Sequence, residues 1–377
     1  MPALIYDSAY GRYSFGDDHP FSPLRVAMVL DLLWELGHRL EPVAPVPATR
    51  QDLLAVHDEY YVRRVEELSA GKPVRDAQSY GLDTPDTPAF EGMDEAGRWL
   101  VGGTLLGARL IREGKEKRVL QLGGGLHHAR RNFASGFCVY NDVALAVHSL
   151  IRRGLWVAYL DIDVHHGDGV QQILYDDKRA MTISLHESGQ YLFPGTGDVH
   201  ELGSGVGRGL KLNVPLEPLT EGDSYLEVLE KVVPPALEHF KPAVLVVQAG
   251  ADAHYDDQLA DLMLTTRDYE RIFRRILGWA DAFTGGRVLF TLGGGYSLSA
   301  TPRVWTLLAL LVHGLPVPEE LPETWRRRWG RVLGDRPPTA FHDPSPLRAD
   351  IPNRAEIRHR NLQVADRLLQ GARPYWF

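Results

Sequence analysis

The sequence predicts an α/β protein: a mainly parallel sheet flanked by helices, with the functional residues at the carboxyl ends of the strands. Three observations point there. Short apolar runs alternate with longer helix-like segments along the chain. Four of the apolar runs pass directly into polar or glycine-rich segments. The residues that carry chemistry, near His19, His127, Asp163, Asp252 and Tyr296, are dispersed along the chain, and one interleaved domain brings them together most simply.

Taken in order, the runs 119–122, 155–160, 181–185, 244–248 and 288–292 read as buried strands, and 93–112, 141–153, 225–239 and 266–282 read as helices between them. The first run leads into Gly123-Gly124-Gly125-Leu126-His127-His128 and the second into Asp161-Ile162-Asp163-Val164-His165-His166-Gly167-Asp168. The fourth leads into Gly250-Ala251-Asp252 and the fifth into Gly293-Gly294-Gly295-Tyr296. Open α/β sheets bind ligands outside the carboxyl ends of their strands, so these four segments are expected on one rim. A closed eight-stranded barrel obeys the same rule, but eight regular βα units cannot be counted. Two long loops, 72–92 and 188–209, are candidate rims or lids, with plain surface connection as the equal alternative.

From about Arg331 the chain changes character. Pro337, Pro338, Pro344, Pro346 and Pro352 mark a linker before a terminal helix. Asn353 and Glu356 resemble a capping box, and Ile357, Val364 and Leu368 supply an apolar stripe. The expected division is a unit over 1–330 and an extension over 331–377. The terminal helix of that extension packs on the domain or on a second subunit, with its arginines as a solvated face.

Composition sets the class. The 377 residues are 44% hydrophobic and 24% charged, enough for a large core. A formal net charge of -8 gives no generic affinity for nucleic acid. One cysteine, Cys138, excludes an internal disulfide framework and fits a reducing, cytoplasmic setting. The first ten residues lack the basic and apolar regions of a signal peptide, and no apolar run is long enough to span a bilayer.

The segment 161–168 places three carboxylates and two imidazoles within eight residues. In extended chain Asp161, Asp163 and His165 would share a face. Carboxylate and imidazole are ordinary ligands for a divalent metal, whereas a solvated turn is the bland reading. Asp163 and His165 supply two ligands, and Asp252, after small residues that let a metal approach, is the candidate third. Three protein ligands leave a position open, the pattern of a catalytic site, where a metal lowers the pKa of water to about 7 and polarises a carbonyl. A buried hydrogen-bond network is the alternative. The ligand set leaves zinc, iron(II), manganese and cobalt open. His127 and His128 are placed for proton transfer, with Asp161 and Asp168 as spare carboxylates to orient them. Tyr296 could donate to a developing oxyanion or simply pack in the core. Phe137 and Phe193, in glycine-flanked loops, could wall a narrow apolar channel. His166, on the opposite face of the extended chain, is left with a structural role. The triple-glycine turns fit neither dinucleotide nor P-loop fingerprints.

Together these residues resemble the histone deacetylase superfamily, in particular its bacterial acetoin-utilisation deacetylases. The matching segments are His19-Pro20 with Arg25, GGGLHHA at 123–129, SGFCVYND at 135–142, DIDVHHGDG at 161–169, FPGTGD at 193–198, GADAH at 250–254 and GGGY at 293–296. The resemblance implies an arginase/deacetylase-like fold and a zinc-dependent deacetylase. In it Asp163, His165 and Asp252 hold the metal, His127 and His128 form the proton-transfer pair with Asp161 and Asp168 as partners, and Tyr296 polarises the carbonyl. Asp86, Gly136, Phe137 and Phe193 would bind the substrate. A monovalent cation, K+ or Na+, would be held in part by Asp161, Asp163, His165, Ser184 and Leu185. Where many relatives have a four-glycine run before the tyrosine, Leu292 stands first here. The implied substrate is N-acetyl-lysine in proteins, with an acetylpolyamine or another small acetyl-amine as the alternative, favoured by the acidic stretches Asp17-Asp18 and 83–86. Asp252-Ala253-His254-Tyr255-Asp256 also resembles the D-A-H-x-D motif of dinuclear ureohydrolases, although His165 and His166 stand where those need further carboxylates. A non-catalytic binder of acetylated ligands is the third rival.

Overall fold

The structure is a computed structural model that describes residues 2–334, 337–345 and 351–376; Pro346 of the proline-marked stretch lies outside them. Seven parallel strands form one sheet: β1 (Ala3–Ile5), β2 (Arg118–Gln121), β3 (Val157–Asp161), β4 (Ala180–Glu187), β5 (Lys211–Leu216), β6 (Val244–Gln248) and β7 (Val288–Thr291), in the order β1-β2-β7-β6-β3-β4-β5. The helices are α1 (Leu24–Glu35), α2 (Arg50–Leu53), α3 (Glu59–Ser69), α4 (Met93–Arg112), α5 (Asp142–Ile151), α6 (Asp168–Ile173), α7 (Gly222–Phe240), α8 (Thr266–Thr284), α9 (Thr301–Val312), α10 (Glu323–Arg328), α11 (Gly330–Leu333) and α12 (Arg354–Ala372).

Strand alternation splits the core into two layers. Val157, Tyr159, Val244, Val246 and Leu289 face α4 and α5. Ala158, Leu160, Leu245, Val247 and Phe290 face the layer built from α7, α8 and α9. Both faces are covered, which is why the central strands read as unbroken apolar runs. From β3 the chain proceeds outward to β4, and from β6 it proceeds the other way to β7. The crevice between β3 and β6 is therefore the topological switch point, where α/β sheets place ligands. These two strands pair in register from Val157↔Val244 to Asp161↔Gln248.

The structure departs from the expectations in three places. The edge strands β1 and β5 were not anticipated: β1 has only three residues, and Lys211, Asn213 and Pro215 interrupt the apolar pattern of β5. Pro215 is tolerated because the strand lies at an edge. The extended-chain argument holds only to Asp161, where β3 ends; beyond it the chain leaves the ladder and turns. Asn353 does not cap α12 in the expected way. Its φ of 55° is left-handed rather than extended, and it makes no side-chain cap bond; Glu356 pairs with Arg360 instead.

The segment after α11 lies against the rest of the chain. α12 packs on α7 and β5, burying Asn361, Val364, Ala365, Leu368, Leu369 and Ala372, while Ile357 is only half-buried. Arg354, Arg358 and Arg360 sit on its exposed side and pair with Glu221, Glu227 and Glu217. Trp376 stacks on His239 and donates its indole N–H to Gly209 O (2.8 Å). Among the described residues no helix is long and apolar enough to cross a membrane.

Candidate active site

At the switch point Asp163 and His165 follow β3 and Asp252 follows β6. Each offers a ligand atom, and these lie within 4.8 Å of one another, all buried. His165 Nδ1 is 3.1 Å from Asp252 Oδ2 and 3.3 Å from Asp163 Oδ1. Backbone donors hold the two carboxylates: Gly294 N donates to Asp163 Oδ2 (2.8 Å) and Val164 N to Asp252 Oδ1 (2.9 Å). Gly294 must be glycine, because a Cβ there would stand 1.9 Å from Asp252 Oδ2. Burial and the adjacent Asp163 charge raise the Asp252 carboxyl to about 7. Burial acts against Asp163 as well, but His127 and His165 outweigh it and hold that carboxyl well below the usual range. His165 is raised to about 10, since Asp163 and Asp252 overcome the cost of burying its charge. A buried imidazole nitrogen and two carboxylate oxygens converging this closely fit a divalent cation, which Asp163, His165 and Asp252 would hold with His165 deprotonated.

Beside this cluster stand two histidine–carboxylate pairs. His127 Nδ1 lies 2.9 Å from Asp161 Oδ2, an oxygen that also accepts from the Tyr159 hydroxyl. His128 Nδ1 lies 2.7 Å from Asp168 Oδ1, and Arg130 Nη2 donates to Asp168 Oδ2 (2.8 Å). The partners differ in effect. Burial opposes charge on His127, yet Asp161 and Asp163 raise it to about 9. Burial and the neighbouring His127 lower His128 to about 4, even with Asp168 opposing. Their rings are 4.0 Å apart between centroids. One imidazole is thus favoured as the cation and its neighbour as the free base.

Tyr296 completes the group. Arg25, buried from α1, donates from Nη1 to Gly293 O and Gly295 O (both 2.9 Å), and Asp257 Oδ2 accepts from Tyr296 N (2.7 Å). Burial, then Asp252 and Asp163, push the phenol well above its ordinary value, so it remains a donor. Phe137 meets the Tyr296 ring edge-on at 5.8 Å, and Phe193 meets His128 at 5.0 Å. Phe137 sits at φ 65° after Gly136 at φ 54°, closing a tight turn between Ser135 and Cys138. A Cβ on Gly136 would meet His128 Cδ2 at 2.3 Å, so glycine lets this turn press on the imidazole. Asp86 Oδ2 accepts from Gly136 N (2.7 Å), which puts the carboxylate from loop 72–92 beside Phe137. Ser184 and Leu185 lie buried on β4, and the Ser184 hydroxyl is 2.8 Å from His186 Nδ1. His166 does point away from the cluster: its Nδ1 meets Thr196 Oγ1 (2.8 Å) in loop 188–209. A cavity of about 210 Å³ is lined by Tyr10, Tyr13, Phe21, Arg25, Leu292 and Trp305, among others.

Several further residues support the site. Asp142 accepts from Gly125 N and Leu126 N, and Gln248 Nε2 donates to Gly125 O (2.7 Å), fixing the turn before His127. Asn141 Nδ2 donates to His127 O and Ala129 O. His57, buried, accepts from Asn141 N on Nε2, which leaves Nδ1–H to donate to Arg130 O (3.0 Å). Asn141 and Asp142 end the segment at 135–142 and were visible there as an Asn-Asp pair; nothing local marks His57. His254, of the D-A-H-x-D match, turns its Nε2 to Asp343 rather than to the metal-ligand candidates. Among the described residues no second cluster of metal-ligand type occurs.

A family model of the histone deacetylase domain matches residues 19–312. The acetoin utilization protein AcuC of Bacillus subtilis (strain 168) is 40% identical over 375 residues, covering 98% of this chain and 97% of that protein. The AcuC protein of Staphylococcus xylosus is 35% identical over 379 residues, covering 99% and 97%. Among solved structures, a histone deacetylase homologue complexed with SAHA superposes with a TM-score of 0.87 at 28% identity, covering 97% of this chain and 99% of the other. A homologue from Aquifex aeolicus gives 0.84 at 27% identity, covering 95% and 99%.

Proposed function

The chain belongs to the histone deacetylase family, and on that premise we propose that it hydrolyses N-acetyl-lysine in proteins, releasing acetate. The observation that carries this reading is the pairing of two unlike histidines with Asp161 and Asp168 beside the Asp163–His165–Asp252 cluster. Zn2+ is the proposed cation, with Fe2+, Mn2+ or Co2+ also suited to such ligands; once bound it supplies Lewis acidity, lowering the pKa of water and polarising the acetyl carbonyl. His128, with Nδ1–H directed at Asp168, presents Nε2 as the base that takes a proton from the attacking water. An imidazolium of this pair then returns a proton to the leaving amine. The Tyr296 phenol donates to the oxyanion as the tetrahedral centre forms. Phe137, Phe193 and Gly136 flank the acyl-lysine stem, and Asp86 accepts from the substrate backbone. K+ or Na+ would sit by Asp161, Asp163, His165, Ser184 and Leu185. The setting proposed is the cytoplasm, in keeping with a single buried cysteine.

A second reading, hydrolysis of an acetylpolyamine or similar small acetyl-amine, is favoured by the acidic mouth: Asp86 stands beside Phe137, and Asp17 and Asp18 are exposed in the loop before His19. Rates on acetyl-lysine peptides and acetylpolyamines, measured across metals with a chelator control, decide between them. Higher kcat/KM on peptides supports the first reading, and the reverse order replaces it with the second. A metal-loaded protein inactive on both classes would favour the non-catalytic binder.

A further inference from the structure

Asp343 lies beyond every segment that carries the resemblance, yet its carboxylate is buried and heavily bonded. Oδ2 accepts from Thr266 N (2.8 Å), from Thr266 Oγ1 (2.8 Å) and from His254 Nε2 (2.9 Å). Oδ1 is 2.9 Å from Arg303 Nη2. His254 Nδ1 accepts from Asp256 N (3.1 Å), so Nε2 is the nitrogen that carries the proton toward Asp343. Arg303 is itself buried and donates from Nε to Ser299 O (2.8 Å).

These contacts reach both arms of the centre. His254 follows Asp252 by two residues, in the same turn. Ser299 belongs to the turn that presents Tyr296. The two turns are also tied to each other, because Asp257 accepts from Tyr296 N and Ser297 Oγ donates to Asp256 Oδ2 (2.7 Å). We propose that Asp343 is a positioning residue for the reaction: through His254 it sets the Asp252 carboxylate, and through Arg303 it sets the Tyr296 turn. The inference rests on reading Asp252 as a metal ligand and Tyr296 as the oxyanion donor. A residue that orients ligands through hydrogen bonds is typically worth about 10–100-fold in metal affinity or activity, whereas a merely structural anchor would lower the melting temperature alone.

The test is a Co2+ titration of the metal-stripped full-length chain, followed by visible absorption, with kcat and KM measured on the reloaded enzyme. Asp343→Asn should bind Co2+ about 10–100-fold more weakly, with a fall in kcat of the same order and little change in KM. His254→Gln should do likewise, and the double variant should be no worse than the worse single variant, since the two residues act as one unit. Thr266→Val removes the hydroxyl that donates to Asp343 Oδ2 and accepts from Asp343 N; it should shift affinity in the same direction by less, which keeps the inference testable if Asp343→Asn does not fold. A folded Asp343→Asn or Thr266→Val protein with wild-type Co2+ affinity and kcat overturns the role given to Asp343. A wild-type chain that binds no Co2+ overturns the ligand assignment itself, and the inference with it.

Discussion

Two buried carboxylates joined through one turn, Asp252 at the strand ends and Asp343 in the C-terminal segment, live in opposite electrostatic worlds. Asp252 faces another carboxylate, Asp163, and its carboxyl rises to about 7. Asp343 faces Arg303, His254 and Thr266, and despite burial its carboxyl is held far below the usual range. A buried carboxylate with its full set of donors is an internal fastening. One left short of positive charge, beside a second carboxylate and a histidine, is a place that calls for a ligand. The same residue type, buried in both places, is thus proposed for binding in one region and for alignment in the other, and the surrounding charge tells them apart.

The largest effect is expected where charge is deficient. Asp252→Asn removes an anionic ligand, so metal analysis of the purified variant should find no stoichiometric divalent ion and turnover should vanish; full retention of metal would erase the distinction drawn above. Tyr296→Phe should lower kcat about 10²–10³-fold while metal content is unchanged, and an unaltered kcat would remove the phenol from the reaction. A milder effect belongs to His57, whose burial holds it at about 4 against an ordinary 6.5. The unfolded chain takes up a proton at this site where the folded chain does not, so the stability from a neutral His57 is complete above 6.5 and lost as pH falls toward 4. His57→Gln should show a shallower decline in melting temperature between pH 7 and pH 5, and an identical slope would dismiss the idea. Smallest of all, Arg358→Ala on α12 breaks an exposed ion pair with Glu227 of α7 and should leave melting temperature and kcat unchanged. A clear loss there would mean that surface charge on α12 matters to the centre.

How much of this was legible depends on distance along the chain. Asp163, His165 and Asp252 are legible because an apolar strand runs within a few residues into each group, where a buried ionisable side chain needs a partner. The β6 strand was read to the residue, and α4 likewise. The path from Asp161 to His165 is not legible in the same way, since strand periodicity says nothing of where the ladder stops. Asp343 was invisible for a different reason. Its partners His254 and Thr266 are 89 and 77 positions away, and a lone Asp among prolines looks like any turn residue. The Asn353–Glu356 pattern had the right letters, but the left-handed backbone at Asn353 turns its side chain away from a capping role. Local chemistry is written locally; the packing that aligns it is not.

The neighbouring strands β3 and β6 have a consequence for how such a protein can change over generations. Asp163 and His165 lie two and four residues beyond β3, and Asp252 lies four residues beyond β6, so the in-register pairing of those two strands brings their turns together. Loops 72–92 and 188–209, which bring Asp86 and Phe193 to the mouth, are separate stretches of chain. Drift in those loops can alter which acylated amines enter while the bond-breaking groups keep their spacing.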